Sequence, residues 1–122
     1  MLYLAPVSKE EAKEFYKKSV FEFSKNSGCL CCKDGETILG FSLYDLDEKK
    51  MTVKYIEPIE DIALADGILR STLHIAAENG VMDAFYSDTL SLEFLKKISF
   101  IKNENEKRLD IDKLFKSCCN CG

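Results

Sequence analysis

The fold is decided by residues 51–86, which read MTVKYIEPIEDIALADGILRSTLHIAAENGVMDAFY. In the first seven residues, two sets of side chains alternate along the chain. This pattern predicts a strand with Met51, Val53, Tyr55 and Glu57 on one face. Pro58 ends this strand because proline has no amide hydrogen to donate to a ladder. The start of the stretch is therefore a β-strand with a sharp end.

The middle of the stretch predicts a long helix, with a cap at or near Asp61 and an end at Gly80. Its apolar residues lie at helical spacing on one face: Ala65, Ile68, Leu69, Leu73, Ala76 and Ala77. Val81 to Tyr86 then predicts a second short strand. A strand, a helix and a strand in this order form a right-handed crossover between parallel strands.

The segments on either side add hairpins to this crossover. A strand is expected at Met1 to Val7, and a capping box at Ser8 to Glu11 begins a helix that stops at Asn26 to Gly28. The other expected elements are strands at Cys29 to Lys33 and Glu36 to Leu46 around an Asp34-Gly35 turn, a helix at Leu90 to Ile98, and a strand or strand pair at Phe100 to Ile111. We therefore predict one α/β domain over residues 1–122, a mixed, mostly antiparallel twisted sheet flanked by helices, with a cysteine-containing tail at 117–122.

The length and the charge of the chain reduce the number of functions that we expect for it. A chain of 122 residues with 46% hydrophobic and 31% charged residues is expected to form one globular domain. Its 17 basic and 21 acidic residues argue against binding to nucleic acid or to an anionic membrane surface. The sequence has no apolar run of the roughly 20 residues that a membrane-spanning helix needs, and its start lacks the pattern of a signal peptide. We expect a cytoplasmic protein, in which cysteines stay reduced.

Between Gly35 and Lys102 the chain resembles the GNAT acyltransferase superfamily. The resemblance is carried by GETILGF at 35–41, ALADGILRSTL at 63–73, AAENG at 76–80 and FLKKISFIK at 94–102. It implies that the two parallel strands diverge to admit the pantetheine arm of acetyl-CoA or another acyl-CoA. It also implies transfer of the acyl group to a small-molecule or peptide amine.

The resemblance also implies site residues. The acyl-CoA would lie against the end of the first parallel strand and the start of the long helix, at Ile56, Ala63, Leu64, Ala65, Asp66 and Gly67. Glu57 would act as the base for the incoming ammonium and Tyr86 as the acid for the departing thiolate. The sequence departs from the family pattern at Glu60, where a cationic or neutral residue is usual, and at Leu95, where a tyrosine is usual.

Two cysteine clusters suggest a different kind of site. Cys29, Cys31 and Cys32 form one cluster, and Cys118, Cys119 and Cys121 form the other. On a strand, Cys29 and Cys31 share a face, so together with Cys118 and Cys121 they would supply four thiolates for zinc or an iron–sulfur cluster.

Three interpretations remain open at this point. The first is an acyltransferase. The second is a non-catalytic scaffold of the same fold that holds a metal through these cysteines, and the third is an interaction protein, a homodimer that pairs through a sheet edge or a helix. The cysteines of the strand also have a simpler explanation, as small apolar residues of the core that bind no metal.

Overall fold

The computed structural model describes residues 2–115, which form a seven-stranded sheet and three helices. The strands are β1 (Leu2–Pro6), β2 (Ser27–Asp34), β3 (Thr37–Leu46), β4 (Met51–Glu57), β5 (Ala84–Tyr86), β6 (Ile101–Asn103) and β7 (Arg108–Leu109). The helices are α1 (Lys9–Lys17), α2 (Ile62–Glu78) and α3 (Leu92–Lys97). Within residues 2–115, none of these helices has the length and apolarity needed to cross a bilayer.

The strands lie in the order β1-β2-β3-β4-β5-β7-β6. Every neighbouring pair is antiparallel except β4 and β5, which α2 connects as parallel neighbours. This is the mixed α/β sheet with one crossover that residues 51–86 predict. The cause is the long helix between the two strands, because a connection of that length is what parallel pairing needs.

Each face of the sheet carries its own apolar cluster. The larger cluster lies under α2 and includes Ile68, Leu69 and Leu73 of that helix, all fully buried. The smaller one lies under α1 and contains the buried Ala12, Tyr16, Cys29, Cys31 and Leu43. The alternation expected for β2 is confirmed, since Cys32 belongs to the cluster on the α2 face.

Helix α1 ends at Lys17, nine residues earlier than Asn26, the first residue of the stop expected from the sequence. The Ser19 hydroxyl donates to the Tyr16 carbonyl at 2.8 Å and accepts the Phe21 amide at 3.1 Å. A serine that bonds the nearby backbone in this way offers the chain an alternative to the next helical turn. The helical spacing of Ala12, Phe15, Tyr16, Val20 and Phe23 predicts that Val20 lies on a buried stripe, but Val20 is 91% exposed.

Strand β4 contains a β-bulge that changes which side chains share a face. Leu43 of β3 pairs with Tyr55 and Tyr44 pairs with Val53, so Lys54 is the extra residue between them. The simple alternation expected for residues 51–57 is therefore wrong beyond Val53. Ile56 joins the α2-side cluster, whereas Tyr55 packs against the α1-side cluster.

Strand β5 and helix α3 both begin later in the chain than expected from the sequence. Strand β5 begins at Ala84 rather than at Val81, because the Val81 amide donates to the Ala76 carbonyl at 2.9 Å as part of the end of α2. Helix α3 begins at Leu92, since the Ser91 hydroxyl caps it by accepting the Phe94 amide at 3.2 Å. Both corrections move an element boundary and leave the order of elements intact.

Candidate active site

The parallel strands β4 and β5 separate after three residues. Their register pairs Met51 with Ala84, Thr52 with Phe85 and Val53 with Tyr86. The Ser87 amide still donates to the Val53 carbonyl at 3.0 Å, and the Thr89 hydroxyl donates to the Lys54 carbonyl at 2.7 Å. Past that point, within the described residues, β5 offers no partner to residues 55–57. The opening that the resemblance implies is therefore present in this sheet.

Two clefts meet at this opening. The first, of about 740 Å³, lies on the α1 face of the sheet, and the second, of about 380 Å³, lies between the β4–α2 and β5–α3 connections. Three residues line both clefts: Tyr55, Glu57 and Thr89. A molecule in one cleft therefore reaches a molecule in the other beside these three side chains.

Tyr55 and Glu57 are joined by a short hydrogen bond. The Tyr55 hydroxyl donates to Oε1 of Glu57 at 2.6 Å. This bond to a carboxylate, together with burial and the charges of Glu57 and Glu60, raises the pKa of Tyr55 to about 12. Tyr55 consequently keeps its proton at neutral pH and holds the Glu57 carboxylate in one orientation.

The start of α2 has already used part of its capacity to bind anions. Asp61 is the N-cap, and its carboxylate accepts the Leu64 amide at 3.2 Å, while the Ala65 amide donates to the Asp61 carbonyl at 2.9 Å. The first two amides of the helix, those of Ile62 and Ala63, have no carbonyl within the helix to bond.

The predicted cofactor residues are placed around this helix start in different ways. Ile56 lines the second cleft, and Ala63 is exposed. Ala65 is fully buried, and Asp66 forms an ion pair with Arg70 at 3.1 Å. A methyl group added to Gly67 would meet no atom within 4 Å, so this glycine borders open space. Of the two carboxylates before the helix, Glu60 lines the second cleft itself.

The two predicted catalytic residues lie in different environments. Glu57 lines both clefts. Tyr86 is 5% exposed within the α2-side cluster and lines neither cleft. Burial raises the pKa of its hydroxyl, and the charges of Glu104, Lys107, Lys96 and Asp88 act on it more weakly. The structure thus brings Glu57 to the opening and places Tyr86 in the core beside it.

The cysteines of the strand cluster are buried. Cys29 and Cys31 are each 1% exposed and lie under α1. Across residues 2–115 there is no group of three His, Cys, Asp or Glu side chains placed to hold a metal ion. Cys118 and Cys121 lie outside the described residues. The four-cysteine metal site therefore stays a prediction.

Sequence reasoning missed Tyr55 and Thr89 as site residues. The signal for Tyr55 is a phase change in 51–57, because the apolar residues Val53 and Ile56 are three apart where a regular strand would space them by two. Thr89 follows β5 in a polar loop and has no comparable signal. Its position depends on the hydrogen bond to the Lys54 carbonyl, which joins residues 35 apart in sequence.

Two solved structures superpose on most of this chain. The ribosomal-protein-alanine N-acetyltransferase from Brucella melitensis biovar Abortus 2308 superposes with a TM-score of 0.59 at 11% identity, over 80% of this chain and 90% of that chain. Ard1 from Thermoplasma volcanium superposes with a TM-score of 0.54 at 8% identity, over 88% of this chain and 92% of that chain. No protein-family model and no curated protein matches the sequence.

The likeness establishes the class of fold. The chain has the fold of the GNAT acetyltransferases, over 80–88% of its length. Identities of 11% and 8% are too low to carry a substrate from those proteins to this one.

Proposed function

We propose that this protein is an acyl-CoA-dependent N-acyltransferase that acts on a small-molecule or peptide amine. The observation that carries the proposal is the opening between β4 and β5, with Glu57 at the junction of two clefts. One of the structural neighbours is a ribosomal-protein-alanine N-acetyltransferase, which agrees with an N-acyl transfer. A fold alone would not justify this, because one fold hosts many functions.

The residues at the opening fit the acyl end of such a cofactor. Acyl-CoA supplies an acyl group as a thioester, and the second cleft follows the β4–α2 connection from Glu60 to Glu57. The free amides of Ile62 and Ala63 would hold a phosphate oxygen, because the N-terminus of a helix favours anions. Glu60 and Asp61 oppose this attraction with two negative charges, so we expect CoA to bind weakly.

Glu57 would take a proton from the ammonium group of the acceptor. Removing this proton frees the nitrogen lone pair, which forms the new N–C bond to the acyl carbon as the C–S bond breaks, and the nitrogen then releases a second proton to the solvent to become the amide. Tyr55 acts as a positioning residue, since its hydrogen bond orients the carboxylate of Glu57. The proton that the thiolate takes up is assigned to Tyr86 by the resemblance, and this assignment stays a prediction.

The proposal is tested by following free thiol release from acetyl-CoA in the presence of primary amines. We expect Glu57→Gln to lower kcat about 10²- to 10⁴-fold, as removal of a general base does. Glu78→Gln is the matched control, because Glu78 is exposed near the end of α2 and lines neither cleft. Equal rates for the Glu57→Gln variant and the unmodified protein would contradict the role of Glu57.

The acid is tested separately with Tyr86→Phe. A large loss of kcat would support Tyr86, whereas a full rate would show that Tyr86 does not supply the proton. The same protein, analysed for metal and for thermal stabilisation by acetyl-CoA, tests the scaffold alternative. One equivalent of zinc or iron with no stabilisation by CoA would contradict the acyltransferase.

A further inference from the structure

Aromatic rings form one wall of the first cleft. The rings of Phe15 and Phe41 lie 4.8 Å apart, those of Phe41 and Tyr55 5.8 Å apart, and those of Phe21 and Tyr55 6.3 Å apart, between centroids. All four side chains are half-buried, so each ring keeps part of its surface toward the cleft. Helix α1, the loop after it, β3 and β4 each contribute a ring, and the wall is therefore a product of the tertiary fold.

The charges in the same cleft are mostly negative. Its lining includes the carboxylates of Glu11, Glu14 and Glu57 and the ammonium group of Lys18. Glu14 pairs with Lys17 at 3.4 Å and Glu11 with Lys33 at 3.6 Å, so the charges of these two carboxylates are partly neutralised. Within residues 2–115 the Glu57 carboxylate forms no ion pair and lies at the opening, so it is the group of the lining that attracts a cation.

The size and lining of the cleft indicate which chemical group is attached to the cationic group of the ligand. A volume of about 740 Å³ lies in the range of sites that enclose a drug-sized ligand, far more than a bare ammonium group needs. Val20 also lines the cleft and is 91% exposed, so it adds apolar surface that a ligand can cover. Aromatic faces also attract cations directly.

We propose that the acceptor is a hydrophobic primary amine, with its ammonium group against Glu57 and an apolar group at least as large as a phenyl ring against Phe15, Phe21 and Phe41. This inference rests on the proposed function, since it takes Glu57 as the place where the acceptor nitrogen reacts. The same chemistry occurs in a free amine and in a polypeptide that begins with a hydrophobic residue. Anionic compounds and small polar amines are excluded as good substrates.

Binding to the full chain without any CoA tests the inference directly. By calorimetry, phenethylamine is expected to bind at least about tenfold more tightly than ethanolamine, because the phenyl ring leaves water. Phenylpropionate, which has the ring but a negative charge, is expected not to bind. Equal affinity for phenethylamine and ethanolamine, or binding of phenylpropionate as strong as that of phenethylamine, would overturn the proposal.

A pair of phenylalanine variants locates the site. Phe21→Ala should weaken phenethylamine binding about three- to tenfold, the amount expected for one lost aromatic contact. Phe23→Ala is the matched control, because Phe23 is half-buried in the same loop, packs on Tyr16 at 5.3 Å and does not line the cleft. Equal effects of the two substitutions would overturn the assignment. Val20→Ser should also weaken binding, and its exposure means that it does not unfold the protein.

The closing experiment separates this inference from the proposed function. Acetyl transfer from acetyl-CoA is measured with phenethylamine, ethanolamine, spermidine and a tetrapeptide that begins with phenylalanine, and kcat/KM is compared. A preference of at least about tenfold for phenethylamine or the tetrapeptide supports the inference and shows which source the site accepts. Efficient transfer to ethanolamine or spermidine would sustain the acyltransferase and overturn the hydrophobic acceptor.

Two other results have equally definite meanings. Selective binding of phenethylamine without any acetyl transfer would sustain the cleft as a hydrophobic amine site and contradict the acyltransferase. A dimer in sedimentation that Val20→Ser dissociates would show that a second copy covers the rings, and this would overturn the proposal.

Discussion

At the scale of single residues, the site depends on one extra residue in β4. Lys54 forms the bulge, and its ammonium group is held by Asp45 at 2.9 Å and by the Tyr16 ring at 4.6 Å. The bulge shifts the alternation of the strand, so Tyr55 reaches the α1 face. Without that shift Tyr55 would keep the phase of the buried Val53.

Because the Tyr55 hydroxyl donates a hydrogen bond to Glu57, we expect substitution of Glu57 to change the pKa of Tyr55. The pKa of Tyr55 is raised to about 12, with the bond to Glu57 as the largest cause. Glu57→Gln removes the charge, so we expect this pKa to fall toward its usual value of 10.0. Tyr44, whose pKa burial raises to about 12, is the internal control and should not change. The measurement is the ultraviolet absorbance of the phenolates against pH.

The same pKa predicts how stability changes in alkali. The unfolded chain loses the Tyr55 proton near pH 10.0, whereas the folded chain keeps it to about 12. Between these two pH values the folded protein binds more protons than the unfolded protein. The contribution of Tyr55 to the free energy of unfolding is therefore present below pH 10.0 and is lost as the pH rises to about 12. In urea unfolding, the free energy of unfolding of the Tyr55→Phe variant should fall less steeply with rising pH than that of the unmodified protein. An unchanged slope would show that Tyr55 does not contribute.

At the scale of elements, the end of β4 is positioned by a close approach to β3. A methyl group on Gly40 would lie 2.6 Å from the Glu57 carbonyl oxygen and 2.8 Å from Cδ1 of Ile68. Side chains do not approach backbone atoms so closely, so only glycine lets β3 and the start of the β4–α2 connection meet. Gly40 thereby places Glu57 at the opening.

Two glycine substitutions test this packing. Gly40→Ala should reduce the free energy of unfolding by about 1–3 kcal/mol, since β4 must shift to avoid the clash. Gly67→Ala, inside α2 with no atom within 4 Å of the new methyl group, should raise it by about 0.5–1 kcal/mol. Urea denaturation measures both. A Gly40→Ala variant as stable as the unmodified protein would contradict the close approach.

The start of α2 carries the second prediction at this scale. Asp61→Ser keeps a side chain that caps the helix and removes a negative charge near the expected diphosphate. We expect the Kd for CoA to fall about two- to fivefold, with little change in Tm, because charges at helix ends contribute modestly. Glu60→Gln should act in the same direction. Glu48→Gln, in the turn at the other end of β4, is the control and should leave the Kd unchanged.

At the scale of the whole molecule, the two faces of the sheet are unequally packed. Helix α2 contributes five residues to a cluster of 21 buried residues, whereas α1 contributes two to a cluster of five. Elements with few buried contacts open at lower free energy than the global unfolding reaction. The face that carries the first cleft is therefore the less stable one.

Native-state hydrogen exchange tests this difference. Amides of Lys9–Lys17 should exchange with a lower opening free energy than amides of Ile62–Glu78, and the exchange of α2 should track global unfolding. Residue-resolved exchange by NMR gives both values. Equal protection of the two helices would show that α1 and the sheet open as one unit with the larger core.

The sequence by itself determined the order of the elements, the parallel crossover and the resemblance to the GNAT fold. These features are local or periodic: an N-cap at Asp61, an apolar stripe on α2 and a proline that ends β4. They are visible because each depends on neighbours a few residues away.

Only the tertiary structure decided which side chains meet at the opening. The bulge at Lys54 turns Tyr55 to the α1 face, the Ser19 hydroxyl ends α1 early, and Phe15, Phe41 and Tyr55 come together from three elements. Thr89 reaches Lys54 across 35 positions. Such contacts depend on packing between distant segments, which no local pattern encodes.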